Sequence, residues 1–216
     1  AGGIADDMLT TTVMASTAPV LISPAMNTHM FENPIVQDNL KKLERFGYTI
    51  IAPAVGMLAC RDVGAGKMPE PETLLEWILQ EIACEKDLKG KKILISAGAT
   101  QESLDPVRYL TNHSTGKMGY ALATCAMRRG AEVTLVTGRS ALTPPLFVET
   151  VPVVTAEEMY QAVVSRAPEQ DAIIMAAAVA DYRPAEVATE KQKKSDGMLS
   201  IPLARTKDML AYLGEH

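Results

Sequence analysis

Several short stretches carry residue types that can do chemistry. Pro24-Ala-Met-Asn27 leaves an apolar run, and the Asn27 amide can both donate to a carboxylate and accept from an amine. An Asn in that place also caps helices and builds turns. Gly56-Met-Leu-Ala-Cys60-Arg61-Asp-Val-Gly64-Ala-Gly66 is glycine-rich, as a mobile flap would be, and its Cys60 is a bystander unless its surroundings make it an acid or nucleophile. Ser96-Ala-Gly98-Ala-Thr100 is a glycine turn that can show N–H groups to an anion. Arg108, Asn112, Ser114, Thr115, Gly116 and Lys117 crowd the start of an expected helix, where such groups suit phosphate and carboxylate. A long polar loop is equally a solvated connection, and the glycine-to-Gly-Lys spacing is not that of a Walker loop. Met175-Ala176-Ala177-Ala178-Val179-Ala180-Asp181 ends an apolar run in small residues that let a flat ligand approach the backbone, and Asp181 can meet a ribose, a base or a metal. Lys191, Lys193 and Lys194 follow; lysines are ordinarily solvated surface, yet here they can cover a triphosphate.

The elements that must position these residues follow from hydrophobic pattern and caps. Pro19–Ser23, Tyr48–Ala52, Lys92–Ser96, Glu132–Val136 and Asp171–Met175 read as buried strands. Asn33-Pro34 opens a helix that Gly47 ends. Thr155-Ala-Glu-Glu158 is a capping box for a helix to about Arg166. Strands alternating with helices predict an α/β fold: two doubly wound parallel-sheet units, Rossmann-like or flavodoxin-like, both incomplete. The charged stretch from Cys84 to Lys92 reads as the linker, so the expected domains are residues 1–86 and 87–216. The opening at Ala1 and the stop just after a helix at His216 both read as cut edges.

Composition narrows the partners. A net charge of -5 without a long basic run argues against nucleic acid. Cys60, Cys84 and Cys125 form no CxxC pair, so neither a disulfide framework nor a zinc site is expected, and a reducing cytoplasm fits. No apolar run nears the roughly 20 residues of a membrane helix.

Residues 1–85, with Gly3-Ile-Ala-Asp-Asp-Met-Leu-Thr-Thr-Thr12, the Asn27 motif and the Cys60 flap in order, resemble phosphopantothenoylcysteine decarboxylases of the homo-oligomeric flavin-containing cysteine decarboxylase family. The resemblance implies FMN, with Asn27 holding the substrate carboxylate and Cys60 donating a proton. Arg61 stands where the family has Gly, and neither His29 nor His113 matches the family's catalytic base. From about Lys91 onward the chain resembles phosphopantothenate–cysteine ligase domains, through the Gly98 turn, the Arg108–Gly119 loop, the Ala176–Pro184 strand end and the Lys191–Lys194 element.

That second resemblance implies CTP as co-substrate and Mg²⁺ as cofactor. It further implies that Asn112 and Arg108 hold an acyl-cytidylate, that Lys191 stabilises phosphate charge, and that Met175, Ala176, Ala177 and Asp181 contact the nucleotide. Lys207, Asp208, Met209 and Leu210 match the family's next nucleotide loop, with Lys207 where Pro is common. No protein metal ligand set is implied. Expected small-molecule partners are 4'-phosphopantothenate, cysteine, CTP and phosphopantothenoylcysteine, in a homo-oligomer of decarboxylase trimers and ligase dimers. Two rivals are an NAD(P)-dependent Rossmann reductase, whose G-x-G-x-x-G turn the Gly98 segment lacks, and a non-catalytic flavin-binding subunit.

Overall fold

The computed structural model describes residues 1–58, 63–193 and 200–215. The chain divides into two compact units, 1–83 and 84–216.

In the first unit, the Asp7 side chain caps α1 (Met8–Ala15) in a reciprocal capping box with Thr10. β1 (Leu21–Ile22) leads through the Pro24–Asn27 turn to α2 (Thr28–Phe31), and Asn33 with Pro34 opens α3 (Pro34–Arg45). β2 (Thr49–Ile50) pairs in parallel with β1. β3 (Ala54–Met57) and β4 (Val63–Lys67) form an antiparallel hairpin before α4 (Pro71–Ile82). The parallel pairing matches the expected class, but its ladders are two residues long where five-residue runs suggested more.

In the second unit, β5 (Lys92–Ala97) is followed by the hairpin β6 (Gln101–Ser103) and β7 (Tyr109–Thr111), then α5 (Lys117–Arg128), β8 (Glu132–Thr137) and β9 (Glu149–Pro152). Next come α6 (Ala156–Val164), β10 (Ala172–Met175), the antiparallel pair β11 (Tyr182–Pro184) and β12 (Leu203–Arg205), and α7 (Met209–Glu215). The main sheet is parallel, in the order β10-β5-β8-β9.

Side chains alternate along β5 as a pleated strand demands. Ile93, Ile95 and Ala97 pack with Tyr120, Ala123 and Met127 of α5 on one face. Leu94 packs with Val136, Met159 and Val163, and with Met209 of α7, on the other. Helices thus cover both faces, which is why the strands read as continuous apolar runs. The capping box on α6 is present with both bonds, Thr155 Oγ1 accepting from the Glu158 N–H and Glu158 accepting from the Thr155 N–H.

The segment read as the linker is anchored at its near end. Lys86 Nζ donates to the Arg128 carbonyl, the Leu88 N–H donates to that of Arg129, and Asp87 pairs with the Arg129 guanidinium. Charge in this stretch therefore serves the C-terminal end of α5, where cations and carbonyl donors are favoured.

Candidate functional site

Strand order reverses between β5 and β10: the chain moves outward from β5 to β8 and β9, then crosses back to the other side of β5. In open α/β sheets the crevice for ligands lies outside the carboxyl ends of such a pair. Here those ends are Ala97-Gly98 and Met175-Ala176.

The backbone from Ala176 to Asp181 is held by hydroxyl and amide side chains. Buried Ser96 accepts from the Ala176 and Ala177 N–H groups, both at 3.1 Å. Buried Thr100 accepts from the Ala180 N–H at 3.0 Å, and Thr206 Oγ1 donates to the Ala180 carbonyl at 2.6 Å. Asn112 Nδ2 donates to the Val179 carbonyl at 3.1 Å, with Ala178 at 3.4 Å. This last contact brings the Arg108–Gly119 loop to the strand end. Sequence reading took the Ser96–Thr100 turn for its backbone N–H groups and did not pick out the hydroxyls of Ser96 and Thr100, nor Thr206. Their signal was a hydroxyl at or just past a strand end, a position that fits buried satisfaction of freed backbone groups.

Two hollows open beside this strand end. One, of about 550 Å³, is lined by Met175, Ala177, Val179 and Asp181 with Arg205 and Lys207 through Leu210. The other, of about 630 Å³, is lined by Asn112 through Met118 together with Ala176. Alternation along the strand sends Ala176 to one hollow and its neighbours Met175 and Ala177 to the other.

Gly116, at φ +77°, sits at the N-cap of α5, and a Cβ there would meet the Gly98 backbone at 3.2 Å. Glycine is thus required both by conformation and by close approach. The opening turn of α5 lines the second hollow; its Gly116 and Lys117 N–H groups donate to the Ser114 and Thr115 hydroxyls, and the helix dipole favours an anion there.

Arg108 and Lys191 line neither hollow but are joined to each other's loops. Arg108 grips Asp105 through Nε at 2.9 Å and Nη2 at 2.6 Å, and Nη2 also donates to the Gln192 carbonyl at 2.7 Å. That guanidinium, with the N–H groups of Val107, Arg108 and Gln192, holds the Asp105 carboxyl well below the usual carboxylate range. Lys193 is exposed, and Lys194 lies outside the described residues. Lys207 is engaged already: it pairs with Glu157 at 2.7 Å and lies 4.8 Å from the Tyr160 ring centroid. The hydrogen bond from Lys207 also draws the Glu157 carboxyl down. Asp208 accepts from the Ala211 N–H at 2.9 Å, capping α7, so at least one of its oxygens has a structural use.

In the first unit Asn27 caps α2, accepting from the His29 N–H at 2.9 Å. The structural reading of Asn27 is therefore realised. Its turn also lies on the flap hairpin: the Met26 N–H donates to the Gly66 carbonyl at 3.0 Å, and a Cβ on Gly66, at φ +136°, would run into the Met26 carbonyl oxygen. Cys60 and Arg61, which connect β3 to β4, lie outside the described residues.

Among the described residues no group of three or more His, Cys, Asp or Glu side chains is placed to hold a metal, and no helix is long and apolar enough to cross a membrane.

Residues 88–216 match the family model of the DNA/pantothenate metabolism flavoprotein C-terminal domain, and residues 1–83 match a flavoprotein model. The Coenzyme A biosynthesis bifunctional protein CoaBC of Bacillus subtilis is 48% identical over 218 residues, covering 100% of this chain and 54% of that protein. The CoaBC protein of Mycobacterium tuberculosis is 47% identical over 217 residues, 98% of this chain and 52% of that protein. The chain thus spans about half the length of these relatives. The crystal structure of the C-terminal domain of a CoaBC protein superposes with a TM-score of 0.53 at 51% identity, over 59% of this chain and 60% of that one. With its second unit matched from Leu88 onward and its whole length aligned to these relatives, the chain belongs to the DNA/pantothenate metabolism flavoprotein family.

Proposed function

We propose that residues 87–216 are the N-terminal part of a phosphopantothenate–cysteine ligase domain and residues 1–86 the C-terminal part of a phosphopantothenoylcysteine decarboxylase domain. The observation that carries the ligase reading is the Asn112–Val179 hydrogen bond, which seats the polar loop against the strand end at the point where strand order reverses.

A carboxylate is a poor electrophile because oxide is a poor leaving group, so making an amide from it requires activation. In this reading the phosphopantothenate carboxylate attacks the α-phosphorus of CTP, forming an acyl-cytidylate and releasing pyrophosphate. The cysteine amine then attacks the acyl carbon, and CMP leaves. Met175, Ala177 and Asp181, with Lys207 through Leu210, line the hollow suited to the cytidine nucleotide. Ala176 and Asn112 line the hollow suited to the acyl side, where the start of α5 favours its phosphate. Lys191 offers positive charge for the pyrophosphate as it departs. Arg108, which lines neither hollow and is engaged through Nε and Nη2, would serve the acyl-cytidylate through its remaining guanidinium nitrogen. Mg²⁺, when bound, would come with the triphosphate and offset its charge, and Asp181, which lines the nucleotide hollow, is the carboxylate that would meet it.

In the first unit Asn27 would orient the substrate carboxylate and Cys60 would supply a proton, the hairpin closing over the Asn27 turn. FMN, when bound, supplies the two-electron oxidation and reduction that make loss of carbon dioxide possible. The flavoprotein match and the placement of the Pro24–Asn27 turn at the carboxyl end of parallel β1 support that assignment.

The test mixes the intact protein with CTP, phosphopantothenate, cysteine and Mg²⁺ and measures pyrophosphate. Release that depends on all four components is the expected outcome. No release, with FMN bound, would favour the non-catalytic flavin subunit instead.

A further inference from the structure

Among the described residues the two loops that the ligase reading requires are not paired in a sheet, yet one side chain ties them. The Asp105 side chain is fully buried, whereas that of Arg108 is 44% exposed. A buried carboxylate is tolerated only where its lone pairs are satisfied, and here five donors converge on it. Oδ1 accepts from the Val107 and Arg108 N–H groups, each at 2.8 Å. Oδ2 accepts from Arg108 Nε and Nη2, at 2.9 and 2.6 Å, and from the Gln192 N–H at 3.3 Å. Arg108 Nη2 closes the ring on the Gln192 carbonyl at 2.7 Å. A second thread runs parallel to it, the Ala188 N–H donating to the Leu104 carbonyl at 3.0 Å.

The residue bonded by both its N–H and its carbonyl is Gln192, the direct neighbour of Lys191. Arg108 in turn directly precedes the short strand β7, which ends one residue before Asn112. Asp105 is therefore the common anchor of the two segments that carry Arg108, Asn112 and Lys191.

We infer that Asp105 is a positioning residue for the ligase site: its carboxylate locks the Arg108 guanidinium in a fixed plane and pins the backbone beside Lys191, so that both cations are aligned before the nucleotide arrives. The inference rests on the ligase reading for its kinetic consequence, while the clamp itself can be tested without it. Paired Arg–carboxylate forks add geometric fixity that a point charge lacks, which is why the pair is suited to alignment. Misplacement of a site group by about 1 Å can cost on the order of 100-fold in rate.

Asp105→Asn keeps the shape and removes the charge, and Asp105→Glu keeps the charge with one more methylene. In the intact protein, Asp105→Asn should lower kcat for pyrophosphate release by about 30- to 100-fold while KM for cysteine moves less than about threefold. Asp105→Glu should recover about tenfold of that loss. Trypsin should cut after Lys191 or Lys193 about tenfold faster in Asp105→Asn than in the wild type, because the pinned backbone is released. A kcat within twofold of wild type, or an equal fall in FMN-dependent decarboxylation by the same protein, would overturn the inference. If Asp105→Asn does not fold, amide exchange in the wild type decides the matter. Gln192 and Val107 N–H groups protected like the neighbouring β7 amides support the clamp, and a Gln192 amide exchanging at the free-peptide rate removes it. If the wild type releases no pyrophosphate, the ligase reading fails alone, and the tryptic and exchange results still decide whether Asp105 joins the loops.

Discussion

The two units bury their apolar residues in opposite measure. In the second, β5 and β8 lie between two apolar layers, with Leu94, Ile95, Leu135, Val136, Met159 and Val163 fully buried. In the first, Ile51 and the prolines Pro24 and Pro69 are the buried apolar side chains among the described residues, while Ile4, Met8, Leu9, Ile35, Val55, Met57, Val63 and Ile82 are each at least 70% exposed. So much exposed apolar surface within one unit exceeds what a solvated surface carries as scattered single residues. The lesson concerns how each candidate site is held in place. The strand end at Met175–Asp181 is set by a core that closes around it, whereas the Asn27 turn is set by local backbone fit to the hairpin.

The comparison breaks if core truncation in the two units costs alike. Leu135→Ala should cost 2 to 5 kcal/mol, the loss of transfer energy plus an unfilled cavity, measured by urea denaturation. Val55→Ala, at a side chain 76% exposed, should stay within about 0.5 kcal/mol. A Val55→Ala loss as large as that of Leu135→Ala would show that the first unit has a core of its own.

Next in size is Gly66→Ala. Its positive φ and the encroachment on the Met26 carbonyl should together cost about 1 to 3 kcal/mol and loosen the hairpin, seen as faster proteolysis between β3 and β4. Gly47→Ala, also at positive φ but with open space around it, should cost about 1 kcal/mol or less. Equal effects would mean that conformation alone matters and that the fit of the hairpin to the Asn27 turn does not. Thr155→Ala, which removes one half of the capping box on α6, should cost about 1 kcal/mol by thermal unfolding of the second unit.

The parallel strands and the α6 cap of the second unit were legible because their signals are local: β-branched runs four to six residues long and a Thr-x-x-Glu box. Residue type and position marked out the strand end and the polar loop as candidate ligand segments, and the fold brings the two together. What joins them was not legible. Ser96, Thr100, Asp105 and Thr206 act across 26 to 87 residues of sequence, bonding backbone that only the fold brings near. Asn27 shows the reverse difficulty, since the amide that suits a carboxylate suits a helix cap equally well, and the cap is what the fold displays. The short ladders of β1 and β2 had no sequence signal either, because five apolar residues promise burial only where something lies against them.

The smallest effect expected is a difference in acid response. In the second unit, Asp87, Asp105, Asp171 and Glu157 are all held below the usual carboxylate range. Arg129 does this to Asp87, Arg108 to Asp105 and Lys207 to Glu157, while Asp171 accepts from the Lys92 N–H and from Lys91. In the first unit, among the described residues, Asp7 and Glu70 are so held, by the Thr10 N–H and by Lys67. A carboxylate that is more acidic in the folded state binds fewer protons there than in the unfolded chain, so its stabilisation is complete above the unfolded value of about 4 and is lost as pH falls through the lower folded value. The amides of Leu94 and Val136 should therefore exchange at a pH-independent opening free energy from about pH 7 to 5, which then declines below about pH 4. The Trp77 signal of α4, which reports the first unit, should respond less over the same range. Opening of β5 that stays constant down to pH 3 would mean these pairs are too well solvated to matter, as exposed ion pairs often are, and would leave the apolar layers alone as the source of the contrast between the units.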